Sequence, residues 1–117
     1  MSQWKFNDFE TEIDFTDADF LEKFENCYQK LLKDSETVPK VGKTSAIIRC
    51  QCEILDTFFD SVFGIGTSKK MFGEKKSLDL RIQAADLLYE MNNKERNRYN
   101  TIANKYRPNR KQRRSRR

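Results

Sequence analysis

Residues 44–64 read TSAIIRCQCEILDTFFDSVFG, and this stretch decides the fold. Its apolar residues recur in steps of four, three, four and three, at Ile48, Cys52, Leu55, Phe59 and Val62. That spacing places them along one face of an α-helix. Further apolar residues widen the face to about half of the circumference, more than one neighbouring helix covers. We therefore expect a central helix over residues 44–63, covered by several other helices or by a partner chain.

Three more helices follow from the same kind of pattern. Thr16 can cap a helix over residues 17–33, and Ser77 can cap a last helix over residues 78–104. A short helical turn over residues 67–72 has a glycine on each side and can be capped by Thr67 or Ser68. Thr44 or Ser45 would cap the central helix. The expected core consists of the apolar residues on the facing stripes: Phe20, Phe24, Leu31, Ile48, Leu55, Phe59, Val62, Phe72, Ile82 and Leu88.

The first 15 residues carry an alternating pattern. Residues 4–6 (WKF) and 12–15 (EIDF) alternate apolar and polar side chains, and Asn7-Asp8 between them are turn residues. This favours a short β-hairpin resting on the helices. The alternative is a disordered acidic and aromatic arm over residues 1–15 that becomes ordered on a partner.

The fold class predicted from these patterns is mainly α. We expect a small bundle of three to four helices with a short N-terminal β-hairpin, forming a single domain over residues 1–106. A chain of 117 residues has room for one such domain. Pro108 ends helical order, and the composition of residues 107–117 predicts a disordered basic C-terminal tail.

The charge of the chain is divided between an acidic body and this tail. The net charge is +5, yet the first 104 residues hold 15 basic and 18 acidic side chains, a net of −3. The tail could bind nucleic-acid phosphates or an acidic protein surface, including the N-terminal region of a second copy, or it could act only as a solubilising tail. The residues that would make such contacts are Arg110, Lys111, Arg113, Arg114, Arg116 and Arg117.

Composition argues against an enzyme. The chain has no histidine, so the commonest general base and metal ligand is missing. Its three cysteines fit buried packing in a reducing compartment, and Asp56 and Asp60 read as a solvated helix face. Gly64-Ile65-Gly66 and the residues after it depart from the phosphate-loop spacing. We expect no catalytic residues, no cofactor, no metal site, no membrane contact and a cytoplasmic location.

Several motifs together resemble one known family. The segments are residues 14–19 (DFTDAD), 22–25 (EKFE), 52–53 (CE), 58–64 (FFDSVFG), 66–73 (GTSKKMFG) and 106–114 (YRPNRKQRR). They resemble the small tail assembly chaperones of tailed phages and prophages of Gram-positive bacteria, encoded between the tail tube and tape measure genes. The similarity spans nearly the whole chain. It implies a mostly helical, non-enzymatic protein that coats the tape measure protein in the host cytoplasm and can recruit the major tail tube protein.

The resemblance and the wide apolar face lead to the same functional hypothesis. We expect a phage tail assembly chaperone that binds the tape measure protein through apolar helix faces and also self-associates. The contact residues would be Phe58, Phe59, Phe63, Met71 and Phe72. Two alternatives stay open: a small nucleic-acid-binding protein acting through its tail, and a structural tail or head completion protein.

Phe59 offers a test of the central helix. Replacing it with alanine should lower the free energy of unfolding by about 3–5 kcal/mol, because the change leaves a cavity among the packed helices. Glu53→Ala, on the polar side of the same helix, is the control and should change it little. Urea denaturation of the two variants gives the comparison, and an unchanged Phe59→Ala midpoint would contradict the predicted core.

Overall fold

The computed structural model describes residues 2–106, which are mostly helical with one two-stranded sheet. The predicted fold class is confirmed: four helices with an N-terminal β-hairpin. The tail predicted at residues 107–117 lies outside the described residues. The elements in order are β1 (Ser2–Phe6), β2 (Phe9–Ile13), α1 (Ala18–Ser35), α2 (Thr44–Phe63), α3 (Thr67–Phe72) and α4 (Leu78–Tyr106).

The hairpin pairs β1 with β2 in antiparallel register, with Phe6 opposite Phe9. The turn between them is Asn7-Asp8, as predicted, and Asn7 adopts a φ of +52°, a left-handed conformation that asparagine tolerates. Its side-chain Nδ2 donates a hydrogen bond to the Met71 carbonyl at 2.6 Å, which ties the turn to α3. The prediction of a second strand over residues 12–15 was wrong in position. Pairing starts immediately after the two-residue turn, so the strand begins at Phe9.

The hairpin covers one side of the central helix α2. Trp4 is buried, and its ring stacks on Phe63 with centroids 5.5 Å apart. Phe6 meets Phe72 of α3 edge to face at 5.6 Å. A lone two-stranded ribbon is marginal in water, so this aromatic contact is what stabilises it.

The other helices complete the cover of α2. Phe24 of α1 meets Phe58 at 6.0 Å, and Phe72 of α3 meets Phe59 at 5.6 Å, both edge to face. Tyr89 of α4 meets Phe58 at 6.5 Å. The broad apolar face of α2 is therefore covered by its own chain, the first of the two arrangements that the sequence allowed.

Three of the predicted helix caps are wrong. The N-cap of α1 is Asp17, whose side chain accepts a hydrogen bond from the Asp19 amide at 3.1 Å. The predicted cap, Thr16, instead donates its amide to Asp14 Oδ1. Neither Thr44 nor Ser45 caps α2, since its N-cap is Lys43 with no side-chain cap bond. The N-cap of α3 is Gly66. Ser77 is confirmed at the start of α4, where its Oγ accepts from the Leu80 amide at 3.3 Å.

Most of the expected core is buried, with one clear error. Ile82 is 45% exposed, because α4 turns its neighbour Arg81 into the interior instead. Phe20 and Leu55 pack against the core while partly exposed, and Ile48 is half-buried. The expected members that are buried are Phe24, Leu31, Phe59, Val62, Phe72 and Leu88.

Arg81 is 1% exposed and forms the main polar connection of the fold. Its Nε and Nη2 donate to the two carboxylate oxygens of Asp56 on α2, at 2.7 and 3.2 Å. Its Nη1 donates to the carbonyls of Lys75 and Ser77, at 3.0 and 2.9 Å. The guanidinium carbon also lies 4.5 Å from the centroid of the Phe72 ring. One side chain thus joins α2, the α3–α4 connection and α4, as the fork geometry of arginine allows.

Removing Arg81 should be costly. Arg81→Ala would leave Asp56 and two carbonyls without their donors, and we expect a loss of about 3 kcal/mol in the free energy of unfolding. The double variant Arg81→Met/Asp56→Leu removes both charges, keeps comparable volume and should recover most of that loss. Chemical denaturation tests this; a loss below about 1 kcal/mol for Arg81→Ala would show that the network contributes little.

Candidate protein-interaction surfaces

The five residues predicted to contact a partner lie inside the protein. Phe58, Phe59, Met71 and Phe72 are at most 5% exposed, and Phe63 is half-buried beneath Trp4. The sequence pattern identified an apolar face correctly, but it could not identify what covers that face. A direct binding role for these residues stays a prediction that would require the fold to open. The surfaces available to a partner lie elsewhere.

Two acidic residues predicted to form a solvated face have structural roles instead. Asp56 holds Arg81, and Asp60 accepts from the Ser68 amide at 2.9 Å in the first turn of α3. Within residues 2–106 no group of three cysteine, aspartate or glutamate side chains is placed to hold a metal ion. The arginine-rich contacts predicted from Arg110 to Arg117 lie outside the described residues.

A cleft of about 390 Å³ separates β1 from α4. Three consecutive β1 residues border it, and since neighbouring strand residues point to opposite faces, the strand edge itself forms this wall. Leu87, 46% exposed, lies on the α4 wall with Met91. Among the described residues, the buried Nε1 of Trp4 has no hydrogen-bond acceptor. The lining residues are Gln3, Trp4, Lys5, Leu87, Glu90, Met91, Lys94 and Glu95.

A second depression, the α1–α4 groove, has a volume of about 340 Å³ and is mostly apolar. α1 and α4 form its two walls, and α2 forms its floor. Leu32 on α1 and Ile82 on α4 are 48% and 45% exposed at its edges. At its end the rings of Tyr28 and Tyr89 stack with centroids 5.2 Å apart. The lining residues are Tyr28, Leu31, Leu32, Ser35, Val38, Gln51, Ile54, Leu55, Leu78, Ile82 and Tyr89.

The distal part of α4, residues 96–106, forms a third surface that we name the α4 extension. Every side chain in it is exposed except that of Ala103, which is half-buried. Tyr99, Ile102 and Tyr106 follow one another at helical spacing and are 49%, 40% and 79% exposed. The helix just before this part is not exposed throughout, because Glu95 is buried and accepts from Arg98 at 3.1 Å.

Sequence reasoning missed the cleft and the groove because both form between elements distant in the chain. One signal was available: Leu32 lies four residues after Tyr28 and Leu87 four residues before Met91, so both widen the apolar stripes of their helices at the edge. An apolar residue at the edge of a wide stripe faces solvent or a partner.

Tyr89 provides a test of the groove. Burial, and next the neighbouring Tyr28, raise the pKa of Tyr89 from 10.0 to about 12. Above pH 10 the unfolded chain loses a proton that the folded chain keeps, so stability should fall as the pH rises from about 10 to about 12. Tyr89→Phe should lose less stability over that range in urea titrations, and parallel losses in the two proteins would contradict the burial of this phenol.

Comparison with known proteins identifies a family for this chain, and the function of that family is unknown. No curated protein and no solved structure matches the chain. Within the described residues, no helix combines the length and apolarity needed to cross a membrane. A family profile matches residues 7–117, which is nearly the whole chain. The chain therefore belongs to the family described as a family of unknown function, DUF6673.

Proposed function

We propose that this protein is a non-enzymatic phage tail assembly chaperone that binds the tape measure protein through uncovered apolar surface, with the major tail tube protein as a further partner. The resemblance of its motifs to that class supports the proposal. The observation that carries it is the cleft between β1 and α4, where exposed Leu87 lies beside the edge of β1 that no other described strand pairs with.

The cleft has the chemistry of a protein-binding site. Leu87 and Met91 offer apolar contacts, and the edge of β1 offers backbone groups that can bond to a partner. Lys5, Lys94 and Glu90 supply charges of both signs at the wall. Such a site holds a segment of a client chain and keeps its apolar side chains from aggregating.

A second candidate is nucleic-acid binding through the basic tail. The α4 extension favours it to a limited degree, since Arg96, Arg98 and Lys105 continue the positive charge of residues 107–117 inward. Phosphate contacts of this kind would give an affinity that falls steeply with salt. This activity would require the tail, whereas client binding in the cleft would not.

Co-expression with the tape measure protein tests the proposal. The wild-type chain should keep this client in the soluble fraction and co-purify with it. Leu87→Asp should reduce the amount of soluble client at least about fivefold. A carboxylate on the apolar α4 wall of the cleft must be desolvated when the client binds, and this opposes binding. Deleting residues 107–117 should leave the soluble fraction unchanged.

Asn93→Asp is the matched control, since it adds the same charge at an exposed position of the same helix. Equal thermal unfolding of the Leu87 and Asn93 variants would exclude misfolding as the cause. The proposal is wrong if the wild-type chain leaves the client insoluble. Salt-sensitive DNA binding that disappears with residues 107–117, without client binding, would establish the second candidate instead.

A further inference from the structure

Two surfaces of this chain have opposite charge, and neither is covered by the part of the chain that the structure describes. One is the α1–α4 groove, and the other is the α4 extension. A single chain cannot bring them together, because both lie on the same continuous helix. Ile82 at the groove and Ile102 in the extension are 20 residues apart, which is about 30 Å along an α-helix. Any contact between these surfaces therefore joins two molecules.

The edges of the groove are acidic. Glu25 on α1 and Glu36, the C-cap residue directly after it, stand seven residues before and four residues after Leu32, so they lie on its side of the helix. On α4, Asp79 and Asp86 flank Ile82 in the same manner, three residues before and four after. All four carboxylates are exposed, and among the described residues none of them forms an ion pair.

The α4 extension has the opposite character. Its apolar stripe is flanked by Arg98, four residues before Ile102, and Lys105, three residues after it. Residues 96–106 contain no acidic side chain. Two extensions brought side by side would repel each other, whereas a groove with acidic edges attracts this helix.

We propose that the α4 extension of one molecule docks in the α1–α4 groove of a second copy of the same chain. Tyr99, Ile102 and Tyr106 lie along the apolar floor, and the basic flanks meet the acidic edges. The contact uses a different surface on each partner, so a pair joined by one contact still has one free groove on one molecule and one free extension on the other. Such heterologous contacts build rings or open chains of molecules rather than closed dimers. This inference goes beyond the proposed function and does not depend on the cleft.

Sedimentation velocity of the full chain tests the proposal. Between about 5 and 500 µM, the wild-type mass should rise with concentration past that of a dimer, because each added molecule leaves a groove or an extension free for the next. Ile102→Asp places a charge in the apolar stripe of the extension, and Ile82→Asp places a charge at the edge of the groove. Both positions are exposed at 40% or more, so the fold should tolerate the changes. Each variant alone should stay monomeric.

Mixing the two variants is the decisive step. Ile102→Asp keeps its groove and Ile82→Asp keeps its extension, so an equal mixture should form a one-to-one dimer and nothing larger. Reversing one charge on each surface adds a second test: Lys105→Glu and Asp86→Lys should each weaken association at least about tenfold, and the double variant should recover part of it, because the two altered charges again have opposite sign. Ile65→Asp, at a fully exposed position outside both surfaces, should associate like the wild type.

Several results would overturn the proposal. A wild-type chain that stays monomeric at the highest concentration would leave the groove to a different partner. Association that survives in Ile102→Asp or in Ile82→Asp would assign the contact to another surface, such as the basic tail. A mixture of the two variants that does not dimerise would show that the two surfaces do not bind each other.

Discussion

The apolar face of α2 is wider than one neighbour can cover, and the other elements are arranged around it. The hairpin brings Trp4 onto Phe63, α1 brings Phe24 onto Phe58, and α3 brings Phe72 onto Phe59. These contacts are mostly edge to face, the arrangement that aromatic rings prefer. The hairpin has little stability of its own and depends on its packing against α2. In return, Trp4 of the hairpin covers Phe63 of α2.

The polar side of α2 takes part in the fold as well. Asp56 receives the buried guanidinium of Arg81, and Asp60 receives the first-turn amide of α3. A carboxylate at these positions needs a donor from another element, so each one fixes a neighbour in place. α2 is thus attached to the rest of the chain by aromatic packing on one face and by charged hydrogen bonds on the other.

Packing of this kind uses up the most apolar residues inside the molecule, so binding surfaces must come from what remains. α4 provides most of these surfaces. It is 29 residues long, has no internal glycine or proline, and extends beyond the elements that pack against its first part. Its first 18 residues border both the cleft and the groove, and the side chains of residues 96–106 are exposed except that of Ala103. A single long helix therefore connects the core to every surface on which a partner is proposed.

Local pattern alone determined the four helices of this protein, whereas it misplaced the second strand of the hairpin. The bounds of α2 and α3 match the prediction, and α1 and α4 differ from it by one or two residues at their ends, because apolar periodicity and glycine breaks act within one or two turns of the chain. Only the tertiary structure decided which neighbour each side chain meets. Ile82 and Arg81 are adjacent, and periodicity favoured burying Ile82. Asp56 on another helix makes burial of Arg81 favourable instead, and that partner lies 25 residues away in the chain.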